Sequence, residues 1–171
     1  FELTKPFLLK NAKIRMIGDY QIKNAALALS TIYCIQKLGF SVSNKAIFLG
    51  LKSAFWPARL QVIKGKPQII IDSTHTIAGA AELKKALKQF KFDKLVVVFS
   101  VLEDKDFKQI LSQIPFDTLI VKSVDYNRAL DPKEIKKYLQ QARIEKSISS
   151  AIKKAKKTTS KKDLILITGS I

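Results

Sequence analysis

The sequence predicts an α/β fold built on a mostly parallel sheet with helices on both faces, and three observations predict it. Short β-branched or apolar runs, Gln68–Ile71, Lys94–Phe99 and Asp163–Thr168, have the composition of strands buried on both faces. Stretches with helical apolar spacing lie between them, and alternation of this kind places helices on both faces of a parallel sheet. The grammar also changes at Trp56-Pro57. Two helical patterns follow one another before it, whereas strands and helices alternate after it. The result is a Rossmann-like arrangement opened by a β-hairpin.

Each element has its own signal. Lys13–Ile17 reads as a strand, with Phe7–Leu9 as its partner across Lys10-Asn11. Gly18 and Asp19 break the pattern, with Asp19 placed to cap the next helix. Tyr20–Leu38 is rich in Ala, Leu and Ile, with Ala25, Leu29, Ile32 and Ile35 or Gln36 at helical spacing, and Gly39 stops it. Ser43 opens a shorter helix with Ile47 and Leu51 inward. Lys52–Pro57 is a loop, since the residue before a proline is pushed to extended geometry. We place the domain boundary there, giving residues 1–55 and 56–171. Leu60–Ile63 and Gln68–Ile71 form a hairpin across Lys64-Gly65-Lys66-Pro67. Then come helix Ala78–Phe90, strand Lys94–Phe99, helix Lys105–Ile114 and strand Thr118–Val121. Helix Pro132–Gln141 carries proline at its first turn. A short strand at Ala142–Glu145, helix Ser147–Lys157 and strand Asp163–Thr168 complete the chain.

The 171 residues suit one large domain or one domain with part of another. A chain that opens on Phe1 and closes on Ile171 after a Gly-Ser pair reads as a fragment of a longer protein. Its apolar runs are far too short to cross a bilayer, and no signal or transit pattern is visible. Cys34, the single cysteine, cannot make an internal disulfide. It fits a cytoplasmic setting and a place in the core. The net charge of +17 would attract phosphates. The basic residues are mostly dispersed lysines, however, and the dense cluster from Lys153 to Lys162 is not interleaved with aromatics as a single-strand platform requires. We therefore expect no nucleic-acid partner, no membrane and a monomer.

The residues that could carry chemistry gather at strand ends. Gln68–Ile71 runs straight into Asp72-Ser73-Thr74-His75, and ligands of open α/β sheets bind at the carboxyl ends of strands. Asp72 and His75 could contact a nucleotide or charged substrate there. Equally, Asp72 or Ser73 could cap the helix while His75 sits on the surface. Arg59, beside Trp56-Pro57, could reach a phosphate through its several donors. Asn24, near a helix start, could bond an adenine edge. Leu102-Glu103-Asp104-Lys105-Asp106 and Asp125-Tyr126-Asn127-Arg128 follow two further strands, with Asp104 an alternative N-cap and Arg128 placed to hold a carboxylate. Thr168-Gly169-Ser170 follows the last strand. A structural sheet has no reason to collect four polar clusters on one edge. One Cys and one His cannot build a zinc site, and no phosphate-cradling glycine loop is present.

In order and approximate spacing, these motifs together resemble the bifunctional folylpolyglutamate synthase/dihydrofolate synthase family, part of the Mur ligase superfamily. The elements are Gly18-Asp19-Tyr20-Gln21-Ile22-Lys23-Asn24, Trp56-Pro57-Ala58-Arg59-Leu60, Asp72-Ser73-Thr74-His75, Asp104-Lys105-Asp106, Arg128 and Thr168-Gly169-Ser170. The chain departs from the family at Tyr20, where His is usual, at Ala58 and Ser100, where Gly is usual, and in the residues around His75. Its Asp-x-x-His-Thr form is also similar to the muramyl-tripeptide ligases.

The resemblance implies that residues 1–55 are the tail of a central ATP-binding domain and residues 56–171 a C-terminal ligase domain. It implies ATP-dependent transfer of L-glutamate onto a folate or dihydropteroate carboxylate through an acyl phosphate. The P-loop and Mg2+ ligands would lie upstream of Phe1. Asn24 would bind adenine, Arg59 the phosphates and Asp72 the ribose. His75 would line the same pocket as the one candidate catalytic group, and Arg128 would hold the incoming glutamate. The ATP site would form in a cleft between the two domains, so the fragment alone would bind ATP weakly and turn over nothing. The rival readings are another Mur-type ligase acting on a cell-wall precursor, and a basic nucleic-acid-binding module.

Overall fold

The computed structural model describes residues 1, 2, 4 and 10–170. The chain forms two compact units, Phe1–Pro57 and Ala58–Ile171.

In the first unit, α1 (Tyr20–Lys37) and α2 (Asn44–Ser53) pack around Ala12, Leu29 and Ile47, with Ile32, Val42 and Leu51 against them. Ser43 caps α2 by accepting from the Ala46 N–H at 3.2 Å. Asp19 occupies the N-cap position of α1 without a side-chain capping bond. Gly39 ends the helix at φ +94°, a conformation that costs a Cβ-bearing residue more.

Two expectations fail here. Lys13–Ile17 is not a strand. A strand needs a neighbour that exchanges a ladder of bonds, and among the described residues this stretch donates one backbone N–H bond, from Arg15 to the Leu51 carbonyl at 3.3 Å. The partner expected at Phe7–Leu9 lies outside the described residues. Cys34 is exposed rather than packed in the core. Ala25 and Leu29 mark the buried stripe of α1, and a residue five positions beyond Leu29 is rotated well away from it at 3.6 residues per turn.

The second unit is a six-stranded sheet. Its strands are β1 (Gln61–Ile63), β2 (Gln68–Asp72), β3 (Leu95–Ser100), β4 (Thr118–Val121), β5 (Arg143–Ile144) and β6 (Leu164–Gly169), in the order β1-β2-β6-β3-β4-β5. Only β1 runs antiparallel, as the outer arm of the hairpin, whose turn holds a cis Lys66-Pro67 bond. The pleat explains the burial. Val96, Val98, Ile165 and Ile167 point to one face and pack with Ala151 and Ala155 of α6 (Ile148–Thr158). Leu95, Val97 and Phe99 point the other way and are equally buried, so the second face is covered too. The helices α3 (Ile77–Leu87) and α4 (Phe107–Gln113) pack on each other and bury Leu83, Leu87, Ile110 and Leu111. Each such side chain contributes roughly 1.5–3 kcal/mol when fully buried.

Helix boundaries shift where a side chain has other work. Thr76, not Asp72 or Ser73, caps α3, accepting from the Gly79 N–H at 3.1 Å. Asp106, not Asp104, caps α4, accepting from the Gln109 N–H at 3.0 Å. The helix α5 covers Pro132–Tyr138 and stops short of Gln141. There the chain turns toward β5, and Lys136 Nζ donates to the carbonyls of Gln140 and Ala142 at 3.1 and 2.8 Å. No helix among the described residues is long and apolar enough to cross a membrane.

Candidate functional site

Because β2, β6, β3 and β4 are parallel, their polar C-terminal residues share one edge of the second unit. The last strand is inserted between β2 and β3. Register pairs Asp72 with Thr168, and Ser100 with Gly169. The end of β6 is locked to that of β3: Ser170 N–H donates to the Ser100 carbonyl at 2.8 Å, and Ser100 Oγ donates to the Ser170 carbonyl at 2.9 Å. Gly169 has φ +110°, and a Cβ there would stand 1.8 Å from the Ser100 carbonyl oxygen. No other residue fits.

Asp72 is 2% exposed, and both of its carboxylate oxygens are engaged. One accepts from the Leu60 N–H at 2.8 Å and the other from the Thr74 hydroxyl. The Ala58 N–H donates to Gln61 Oε1 at 3.1 Å, and the Ser73 N–H donates to the Ala58 carbonyl at 2.8 Å. Ala58 and Leu60 both have positive φ, 54° and 45°. Arg59 therefore sits on a short loop whose two flanking residues are left-handed and tied to the strand end. Its own side chain is exposed and makes no ion pair among the described residues. A buried carboxylate thus holds the backbone from which an exposed guanidinium projects, and the several donors of a guanidinium suit an oxyanion.

His75 is half-buried in the turn after Asp72. Its Nδ1 lies 2.8 Å from the Ser73 carbonyl. A carbonyl only accepts, so Nδ1 carries the proton in this contact. The Thr168 hydroxyl, buried and register-paired with Asp72, has no hydrogen-bond partner among the described residues.

Arg128 stands on the other side of this edge. It borders a cavity of about 560 Å³ with Ser100, Lys122, Tyr126 and Ser170. Its guanidinium lies 5.5 Å from the centroid of the Tyr126 ring. Hydrogen bonding to Tyr126 raises its pKa above the usual arginine value, with a smaller attraction from Asp104. The carboxyl of Asp104 is lowered chiefly by its bond to Lys105, 2.6 Å away. The Leu102–Ala129 bridge and the bond from the Glu103 N–H to the Arg128 carbonyl, 2.9 Å, hold the two loops together.

Arg59, Asp72, His75 and Arg128 thus belong to the second unit. Asn24 belongs to the first, exposed on α1, where its side-chain amide donates to Gln21 Oε1 at 3.0 Å. Sequence reading passed over two residues. Lys122 lines the cavity of Arg128, and its position directly after β4 was a usable signal. Thr74, which holds Asp72, had no signal of its own. Among the described residues no group of three or more His, Cys, Asp or Glu could hold a metal ion.

The family described as Mur ligase, glutamate ligase domain, matches residues 58–171. The probable bifunctional folylpolyglutamate synthase/dihydropteroate synthase of Haloferax volcanii is 25% identical over 167 residues, covering 94% of this chain and 20% of that protein. The dihydrofolate synthase/folylpolyglutamate synthase of Bacillus subtilis is 28% identical, covering 95% of this chain and 39% of its own length. The chain therefore spans well under half of these relatives. A crystal structure of the Mycobacterium tuberculosis folylpolyglutamate synthase complexed with ADP and AMPPCP superposes with a TM-score of 0.84 at 28% identity, covering 96% of this chain and 40% of that one.

Proposed function

The chain belongs to the Mur ligase family through its glutamate ligase domain, residues 58–171, and from that premise we propose that it is part of an ATP-dependent ligase adding L-glutamate to the carboxylate of a folate or dihydropteroate. The carboxylate takes the γ-phosphoryl group of ATP, and ADP leaves. The glutamate amine then attacks the acyl phosphate, forming the amide and releasing phosphate. In such chemistry the protein supplies mainly position and charge.

The observation that carries this reading is the pinned Arg59 loop at the carboxyl ends of the parallel strands. Arg59 contacts the phosphates. Its flanking residues need not reorganise, because Asp72 and Gln61 already hold them. Asp72 is the proposed ribose ligand, and two of its carboxylate lone-pair sites remain after Leu60 and Thr74. A ribose hydroxyl reaches it beside the Thr74 hydroxyl or in its place. His75 lines the pocket with its ring oriented by the Ser73 carbonyl. Asn24, in the first unit, is the proposed adenine contact, and its bond to Gln21 already orients the amide. Arg128, with Lys122 across the same cavity, holds the carboxylates of the incoming glutamate. A divalent ion would neutralise the phosphates in such chemistry. Among the described residues no group of three or more His, Cys, Asp or Glu could hold it.

The test is ADP release by the full-length parent, given ATP, glutamate and either dihydropteroate or a reduced folate. The reading expects release that depends on both the pterin and glutamate. Release only with a cell-wall precursor would replace the acceptor, and release with none of these acids would overturn the reading.

A further inference from the structure

The opposite edge of the sheet, where the chain enters β3, β4 and β6, carries a second cavity of about 580 Å³ that the ligase reading does not use. Three connections build it. The one from α3 to β3 brings Phe90, Lys91 and Phe92 beside Lys84 and Lys88, the one from α4 to β4 brings Pro115, and the one from α6 to β6 brings Lys162.

The walls are held by hydrogen bonds. The Asp93 N–H donates to the Lys162 carbonyl at 3.2 Å. Asp117 accepts from the Leu95 N–H at 2.7 Å, and Asp163 accepts from the Ser160 N–H at 2.6 Å. Phe90 and Phe92 are half-buried, while the four lysines are exposed. Against these lysines stands one lining carboxylate, Asp93. None of the four is in an ion pair among the described residues. In sequence the dense lysine run lacked aromatics. Folding brings the last lysine of that run, Lys162, to the same cavity as Phe90 and Phe92, some seventy residues away.

We propose that this cavity binds a small aromatic polyanion: a planar ring resting on Phe90 and Phe92, with two or more negative charges reaching Lys84, Lys88, Lys91 and Lys162. Ammonium groups act as point charges on phosphate or carboxylate alike. Clustered cations beside an apolar wall concentrate such an anion more than dispersed surface lysines do. The apolar floor asks for a ring that bare phosphate lacks. Two sources share this chemistry, a nucleotide and a fused-ring carboxylate bearing several glutamates. The inference rests on the cavity and stands without the ligase reading.

The test is an amide NMR titration of the 171-residue chain at low salt with four probes: ADP, pteroyltriglutamate, inorganic tripolyphosphate and a single-stranded oligonucleotide. The expected result is that ADP, pteroyltriglutamate or both shift amides of residues 87–93 and of Lys162. The double variant Lys88→Glu/Lys91→Glu should weaken that binding about tenfold or more, and Phe92→Leu, which keeps an apolar side chain, should weaken it less. Arg59→Ala and Arg128→Ala should leave these shifts in place. Shifts from ADP alone assign the nucleotide, and shifts from pteroyltriglutamate alone assign the carboxylate. Tripolyphosphate binding equally well would overturn the aromatic requirement. An oligonucleotide binding more tightly, with shifts along α6, would replace the proposal by a polynucleotide surface. Shifts confined to the cavity of Arg128, or no shifts at all, would overturn it.

Discussion

Ala58 and Leu60 adopt left-handed backbone conformations, which cost an L-residue roughly 1–2 kcal/mol. The strain persists because Asp72, Gln61 and Ser73 fix the loop around Arg59. Ala58→Gly removes that strain at the cost of added freedom in the unfolded chain. It should stabilise the second unit by about 0.5–1 kcal/mol, read as a higher midpoint in urea unfolding. Gly169 is the opposite case. A methyl there meets the Ser100 carbonyl, so Gly169→Ala should cost on the order of 3–5 kcal/mol and lower the midpoint accordingly.

At the scale of elements, most of the second unit was legible. Strand β4 was delimited to the residue, because Asp117 precedes and Lys122 follows a purely apolar core of Leu119–Val121. What was not legible depended on partners distant in sequence. Asp72 and Asp104 looked like caps. The first is spent on Leu60 and Thr74 and the second on Lys105, so Thr76 and Asp106 cap instead. Lys13–Ile17 had a strand's composition but no neighbouring strand among the described residues to pair with.

The turn before β6 makes a prediction about pH. Asp163 is buried, and its carboxyl is lowered chiefly by the bond from the Ser160 backbone. A folded pKa below the unfolded value means that its stabilisation is complete above about pH 4. It is then lost as pH falls through the folded value. Acid unfolding of the chain should therefore show a weaker pH dependence in Asp163→Asn. An unchanged acid limb would show that this turn contributes nothing to it.

At the scale of the whole molecule, the shared edge of polar strand ends was readable and its bonding was not. Parallel strands with polar ends must place those ends on one edge, so Asp72, Ser100, Arg128 and Thr168 could be grouped from the sequence. That Asp72 would be buried as the anchor of Arg59 could not, since it follows from a bond between residues on opposite arms of the hairpin. The net charge of +17 said little until folding sorted the lysines. It gathers four of them on the edge farthest from the strand ends that carry the site.

The central claim is that the guanidinium of Arg59, carried on a loop held by a buried carboxylate, reads the nucleotide phosphates. Nucleotide affinity and unfolding midpoint, measured together on the full-length parent and its Arg59→Ala and Asp72→Asn variants, test it most directly. Arg59→Ala should weaken ATP binding about tenfold, the value of one or two charge-assisted hydrogen bonds, with the midpoint unchanged because the side chain is exposed. Asp72→Asn should lower both, losing about 1–2 kcal/mol of stability as the bonds to Leu60 and Thr74 weaken. Wild-type ATP affinity in Arg59→Ala would contradict the account.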